Sequence, residues 1–341
     1  MPFIEDILRY KNLSLVGMEK NTGKTEVLNY ILGRLPSDVR TCVTSIGIDG
    51  ETTDQVTETR KPEIFLRNGM LFSTSEKHYP LRKIVSKIID ISSESTSLGR
   101  IITAEALSCG TVLLSGPAST SSLKRWIGEM EQTGCDLTIV DGALSRMSSA
   151  SAAICDAMIL STGTALSINI ETLVRKTAFQ VEMIRLPLAG RDDIELFEKY
   201  DTGICIIDKE SGKVIELESL SALAMKESEK AVLQQSEKIY LSGALTDKFL
   251  NAITGAERKI NKEVIIKDFT KIFISAATYG SFLRKGGKIS VLNRTKLIAI
   301  CINPIAPSGY RVDSEELKRR IEEATGVKTF DIWGGRKFVK K

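Results

Sequence analysis

The stretch that most constrains the fold is LSLVGMEKNTGKTEVLNYIL, residues 13–32. A short apolar run, Leu13 to Val16, enters a loop of glycine, lysine, asparagine and threonine. Val27, Leu28, Ile31, Leu32 and Leu35 then recur at the spacing of one helix face, and Pro36 closes the segment. Strand, glycine loop and helix in that order are the setting in which backbone N–H groups curl around phosphate at the positive end of a helix dipole. The loop ends in Gly23-Lys24-Thr25. In phosphate-binding loops that lysine bridges terminal phosphate oxygens and the Ser or Thr hydroxyl ligates Mg2+. The usual pattern puts four residues between its glycines, whereas five lie between Gly17 and Gly23. The competing reading is an ordinary strand-to-helix turn with Gly23 at its tight point.

The residues assigned to a nucleotide are Gly17, Lys20, Asn21, Thr22, Gly23, Lys24, Thr25 and Glu26, with Asn21 and Thr22 as extra side-chain donors. Lys20 lies four residues before Lys24, one short of the spacing of the second loop lysine in related ATPases. A solvated surface lysine is the plainer reading of it. Mg2+ takes one or two carboxylates in near-octahedral oxygen sites. Asp141 supplies one, directly after the apolar run of LTIVDGA. SIGIDGETTD supplies others just past the second strand, where ligands of open α/β sheets bind. Asp49 is assigned to metal, and Asp49 or Asp54 to orienting a water molecule; a solvated acidic turn around Gly50 is the alternative. LLSGPASTSSL reads as a helix N-cap or as hydroxyls and N–H groups presented to a ligand or partner, and LSTGTAL, residues 160–166, as a weak candidate for base contact.

The remaining chain alternates strands and helices, which implies an α/β layered fold with a largely parallel sheet. Asn68-Gly69 in PEIFLRNGMLFSTS marks a hairpin, and a second hairpin is expected around Ser108-Cys109-Gly110. LRKIVSKIIDIS fits either helix or strand. A helix is expected from about Ser122 to Gln132, a strand within AFQVEMIRLPLAG, and a last helix capped by Asp313 and ended by Gly326. At 341 residues the chain has room for about two domains of ~150 residues. The expected division is a nucleotide-binding domain over 1–200 and a smaller α/β domain over 201–341, with a soft boundary.

Composition removes rival chemistries. With one histidine, His78, a multi-histidine metal site is excluded, and its SEKHYP setting reads as a surface turn. The six cysteines form no CxxC pair and read as small core residues. A net charge of +4 gives no electrostatic footprint for nucleic acid. No apolar run approaches a membrane span of about 20 residues, and the N-terminus lacks a signal-peptide core. The expectation is a cytoplasmic protein without nucleic-acid or membrane partners.

The loop with five intervening residues, followed by a VDGA turn at Asp141, is similar to that of dethiobiotin synthetase and the cobyrinic acid amidating enzymes. Several phrases together resemble one family: SLVGMEKNTGKTEVLNYIL, TSIGIDGETTDQVTETRKPEIFL, LGRIITAEALSCGTVLLSGPAST, CDLTIVDGALSRMSSAS and INPIAPSGYRVDSEELKRRIEEATGVKTFDI. The family is the P-loop subunit of the lysine 5,6-aminomutase reactivases of lysine-fermenting bacteria. That resemblance implies ATP and Mg2+ as ligands, and an ATPase that restores an adenosylcobalamin enzyme by releasing damaged cobalamin. It also implies a second reactivase ATPase subunit and the aminomutase as partners; a homo-oligomer is compatible with it. A ligase or amidating enzyme like dethiobiotin synthetase, and a non-catalytic nucleotide-binding assembly subunit, are the alternatives.

Overall fold

A computed structural model describes residues 2–46, 63–143, 154–207, 212–219 and 225–333. The chain divides into two compact units, residues 1–178 together with 295–341, and residues 179–294. The expected boundary near residue 200 differs from this division. The final segment belongs to the first unit because its strands pair in that unit's sheet.

The first unit contains α1 (Pro2–Ile7), β1 (Asn12–Gly17), α2 (Lys24–Leu32), β2 (Thr41–Ser45), β3 (Ile64–Leu66), β4 (Leu71–Ser75), β5 (Ser86–Thr96), β6 (Gly99–Ala106), β7 (Gly110–Val112), α3 (Thr120–Gln132), β8 (Leu137–Ala143) and β9 (Ala157–Gly163). Helix α4 (Ile170–Ile184) leads out of it. The second unit contains α5 (Arg191–Phe197), β10 (Ile204–Ile207), β11 (Val214–Glu216), α6 (Glu227–Gln235), β12 (Lys238–Leu241), β13 (Leu245–Thr246), α7 (Asp247–Thr254), β14 (Glu263–Ile266), β15 (Ile272–Phe273), α8 (Ala276–Arg284) and β16 (Lys288–Val291). The chain then returns to the first unit as β17 (Lys296–Asn303), α9 (Ser314–Thr325) and β18 (Thr329–Asp331).

A nine-stranded sheet in the order β18-β17-β9-β1-β8-β2-β4-β6-β5 organises the first unit. Every pair from β18 to β4 is parallel, and the β4-β6 and β6-β5 pairs are antiparallel. Strands β1 and β9 are buried along their whole length, as parallel strands covered on both faces must be. The largest core cluster packs α1 and α2 on the sheet through Phe3, Ile7, Leu28, Ile31, Leu15 and Ile159; a second gathers Leu123, Trp126 and Met130 of α3 against Cys42 and Val140. The second unit has its own sheet, β11-β10-β12-β14-β16, parallel from β12 to β16 and antiparallel elsewhere. Among the described residues no helix is long and apolar enough to cross a membrane.

Several local expectations are corrected. Gly69 does sit at φ 84°, in a turn, yet β3 and β4 do not pair: β3 joins β7, and β4 lies between β2 and β6. The hairpin expected around Ser108-Cys109-Gly110 is likewise absent, since β6 pairs with β4 and β5 while β7 pairs with β3. The undecided LRKIVSKIIDIS segment is the start of β5. AFQVEMI is the end of α4 rather than a strand, because Leu173, Thr177, Val181 and Ile184 share one buried helical face. His78 is buried, not a surface residue, and its Nδ1 lies 2.7 Å from Ser115 Oγ.

Candidate functional site

Strand β1 places the glycine loop at the carboxyl end of the parallel sheet, between β8 and β9. The β1-β8 register sets Leu15 opposite Asp141, and the β2-β8 register sets Ser45 opposite the same residue. Asp141 thus stands two residues before the loop's first glycine, on the adjacent strand. The strand expected to end at Asp141 runs on to Ala143.

Loop geometry follows from a few side chains. Gly17 is required by close approach, since a Cβ there would come within 2.7 Å of Thr22 Oγ1. Asn21 (φ 61°) and Gly23 (φ 86°) both adopt left-handed backbone, the conformation that turns successive peptide groups into an anion-binding concavity. A Cβ on Gly23 would meet Asn303 Cβ and Trp333 Nε1, each at 3.3 Å. The Thr22 hydroxyl donates to the Glu19 carbonyl at 2.9 Å, and Thr22 is only 2% exposed. Its side chain therefore fastens the loop to itself and offers no donor to a ligand, contrary to the expectation from sequence. Lys20 is exposed and its N–H is held by Glu19 Oε1 at 3.0 Å, consistent with a solvated lysine.

Helix α2 begins directly at Lys24, with Gly23 as its cap and no side-chain capping bond. The first N–H groups of a helix have no partner within it, so this end is electropositive. Lys24 Nζ lies 3.0 Å from Asp141 Oδ1, with both side chains largely buried at 18% and 15% exposure. The contact is an ion pair by distance, but Asp141 Oδ1 makes no directed hydrogen bond. It is therefore a carboxylate oxygen held by the Lys24 charge beside an electropositive loop. Thr25 and Glu26 are partly exposed in the first turn of α2.

These features fit a phosphate-bound Mg2+ ion: one carboxylate from Asp141, one hydroxyl from Thr25, and phosphate and water oxygens for the rest. Among the described residues no group of three or more His, Cys, Asp or Glu gathers as an all-protein metal site, and Mg2+ with phosphate does not need one. Asp49 and Asp54 lie outside the described residues, after the end of β2 whose Ser45 neighbours Asp141.

No protein-family model, curated protein or solved structure matches the chain.

Two residues that hold the loop were not singled out in the sequence. Ser161, within β9, donates its hydroxyl to the Thr22 carbonyl at 2.6 Å, and its own carbonyl accepts from Met18 N–H at 2.9 Å. Asn303, the last residue of β17, donates from Nδ2 to the Asn21 carbonyl at 3.2 Å. Each is a polar residue directly after an apolar run within its strand, the same signal that identified Asp141. The LSTGTAL loop packs on this residue: Thr164 N–H donates to the Asn303 carbonyl at 3.0 Å, and a Cβ on Gly163 would sit 2.2 Å from that oxygen. LLSGPASTSSL forms a cap, as expected, with Ser119 Oγ accepting from Ser122 N–H at 3.0 Å.

Proposed function

We propose that the Gly17–Thr25 loop binds the phosphates of ATP with Mg2+, and that the chain is the ATP-hydrolysing subunit of a factor that reactivates adenosylcobalamin-dependent lysine 5,6-aminomutase. The observation that carries the nucleotide reading is the Lys24–Asp141 pair at the mouth of the strand–loop–helix. It brings Lys24, assigned here to the phosphates, next to Asp141, assigned here to the metal, although they lie far apart in sequence. The left-handed Asn21 and Gly23, and the capless start of α2, support an anion as ligand.

In this reading Lys24 would hold the β- and γ-phosphate oxygens, and Asp141 and the Thr25 hydroxyl would hold the metal. Bound Mg2+ supplies charge neutralisation at the phosphate oxygens. Hydrolysis transfers the γ-phosphoryl group to water: the β–γ bridging P–O bond breaks, the P–O bond to water forms, and ADP leaves. Asp49 and Asp54 are assigned to water on sequence grounds alone. The choice of ATP, of the aminomutase and of a second ATPase subunit rests on the family resemblance of the quoted phrases. A cytoplasmic location belongs to the same proposal.

Phosphate release from ATP, measured with and without inactivated aminomutase and the second subunit, tests both levels. The proposal expects turnover that Lys24→Ala abolishes and that the client enzyme stimulates. Turnover unaffected by Lys24→Ala contradicts the nucleotide reading; Lys24-dependent turnover indifferent to the mutase contradicts the reactivase reading alone.

A further inference from the structure

The carbonyls of consecutive loop residues Asn21 and Thr22 are each held by a side chain from a different strand. Asn303 Nδ2 of β17 holds the first at 3.2 Å and Ser161 Oγ of β9 holds the second at 2.6 Å. In a trans peptide the C=O of one residue and the N–H of the next point in opposite directions. Holding the Asn21 carbonyl on Asn303 therefore sends the Thr22 N–H to the other side of the loop. Holding the Thr22 carbonyl on Ser161 does the same to the Gly23 N–H. These two N–H groups directly precede Lys24, where a phosphate would sit in the proposed site.

Both anchors are rigidly placed. Asn303 is 7% exposed, its Oδ1 accepts from Ile305 N–H at 3.1 Å, and its backbone carbonyl accepts from Thr164 N–H. The β9-β17 register sets it opposite Gly163, where the absence of a side chain allows the close approach. Ser161 is 2% exposed in the centre of the sheet. The amide of Asn303 is thus fixed at its oxygen and offers its nitrogen to the loop.

We infer that Asn303 and Ser161 are positioning residues for the phosphate loop: they preset the direction of its N–H groups before any anion arrives. This deepens the nucleotide reading and rests on it. It also gives the last segment of the chain a role in the site, because Asn303 reaches Asn21 from 282 residues away. Preset donors bind an anion without the loss of order that a free loop would suffer on closing around it.

Asn303→Asp keeps the oxygen that accepts from Ile305 N–H, removes the donor to Asn21 and adds a negative charge beside the loop, so the uncharged Ser161→Ala separates loss of a donor from added charge. Ser161→Ala removes the second donor without adding charge. Affinities for Mg2+-ATP and for inorganic tripolyphosphate are measured by calorimetry on the full chain, beside thermal unfolding and circular dichroism. The expected result for Asn303→Asp is weaker binding of both ligands, by about 10- to 100-fold, with the wild-type spectrum retained. Ser161→Ala is expected to weaken both ligands in the same sense by a smaller factor. Should Asn303→Asp not fold, Ser161→Ala carries the test. Wild-type protein that binds ATP and tripolyphosphate while both folded variants match it overturns this inference and leaves the nucleotide reading standing. Wild-type protein that binds neither ligand overturns the nucleotide reading, and the inference with it.

Discussion

Lys24 Nζ, at the start of α2, and Asp141 Oδ1, on β8, meet at 3.0 Å, each side chain largely withdrawn from water. A cation and a carboxylate in that position hold each other, and under the proposed function a phosphate with its metal would replace both halves of the pair at once.

Asp141→Asn leaves Lys24 without its counter-ion but keeps the shape of the site. Removing one member of a partly buried pair is expected to destabilise the ligand-free protein by about 1–3 kcal/mol, read by urea unfolding. ATP binding in the presence of EDTA should survive, since Lys24 is then free for phosphate. The gain in affinity on adding Mg2+ should vanish, and turnover should fall by about 100-fold or more.

Gly23→Ala should fail at the loop. Its φ of 86° costs a side-chain-bearing residue about 1–2 kcal/mol, and the new Cβ would press on Asn303 and Trp333 at 3.3 Å. Loss of ATP binding with only a small drop in melting temperature is the expected outcome, from calorimetry and thermal unfolding of the same sample. Binding equal to wild type would show that the loop does not hold the phosphates.

A fragment covering residues 1–200 should not fold to the native first unit. It lacks β17 and β18, which continue the parallel sheet beyond β9, and with them the buried Ile300, Cys301 and Ile302. Proteolysis and circular dichroism check this. A stable, ATP-binding fragment would restore the simple two-domain division expected from sequence.

Hydrogen bonding from the Cys42 thiol lowers the Cys135 thiol to about 7. The reactive thiolate fraction at Cys135 therefore grows as pH rises through about 7. Burial pushes the thiols of Cys155 and Cys301 far up, the latter to about 12. Iodoacetamide labelling followed by mass spectrometry between pH 6 and 9 should show Cys135 labelling with a midpoint near 7, while Cys155 and Cys301 stay unlabelled until the protein unfolds. A depressed folded pKa also means that the ionised thiol adds stability as pH rises from about 7 towards the ordinary thiol value, and loses it as pH falls through 7.

In the second unit, Glu229 caps α6. Its carboxylate accepts from the Ser219 hydroxyl, from Lys226 N–H at 2.8 Å and from Ser219 N–H at 2.9 Å. The Ser219 hydroxyl bond and then these N–H bonds hold its pKa below the ordinary glutamate value. The stabilisation is present above that ordinary value and is lost as pH falls through the depressed one. Glu229→Gln should cost about 1 kcal/mol at neutral pH, with a difference from wild type that narrows in acid. A pH-independent difference in chemical-denaturation midpoints would contradict the capping account.

What could be read from the sequence was local. Strand β1 and helix α2 were legible because apolar periodicity and the Gly-Lys-Thr junction lie within twenty consecutive residues, and Asp313 and Gly326 bound α9 through short-range capping chemistry. The turn at Gly69 and the bend just before Gly110 were legible, but turn chemistry does not choose a strand's partner, and β3 found β7 rather than β4. Strand β5 resisted assignment because it is exposed along nearly its whole length at the sheet edge, so no alternation marks it. The helical face of α4 was masked by Thr177, a polar residue buried against the Thr162 hydroxyl. His78 is buried by Ser115, 37 residues away, and Asn303 meets the loop from the far end of the chain; neither contact leaves a mark in its neighbours.

The central claim is tested most directly by equilibrium binding of ATP to the wild-type chain and to Lys24→Ala, each with and without Mg2+. The account predicts saturable, Mg2+-strengthened binding to wild type and its loss in Lys24→Ala, with the fold intact by circular dichroism. No binding to wild type, or equal binding to both proteins, would contradict it.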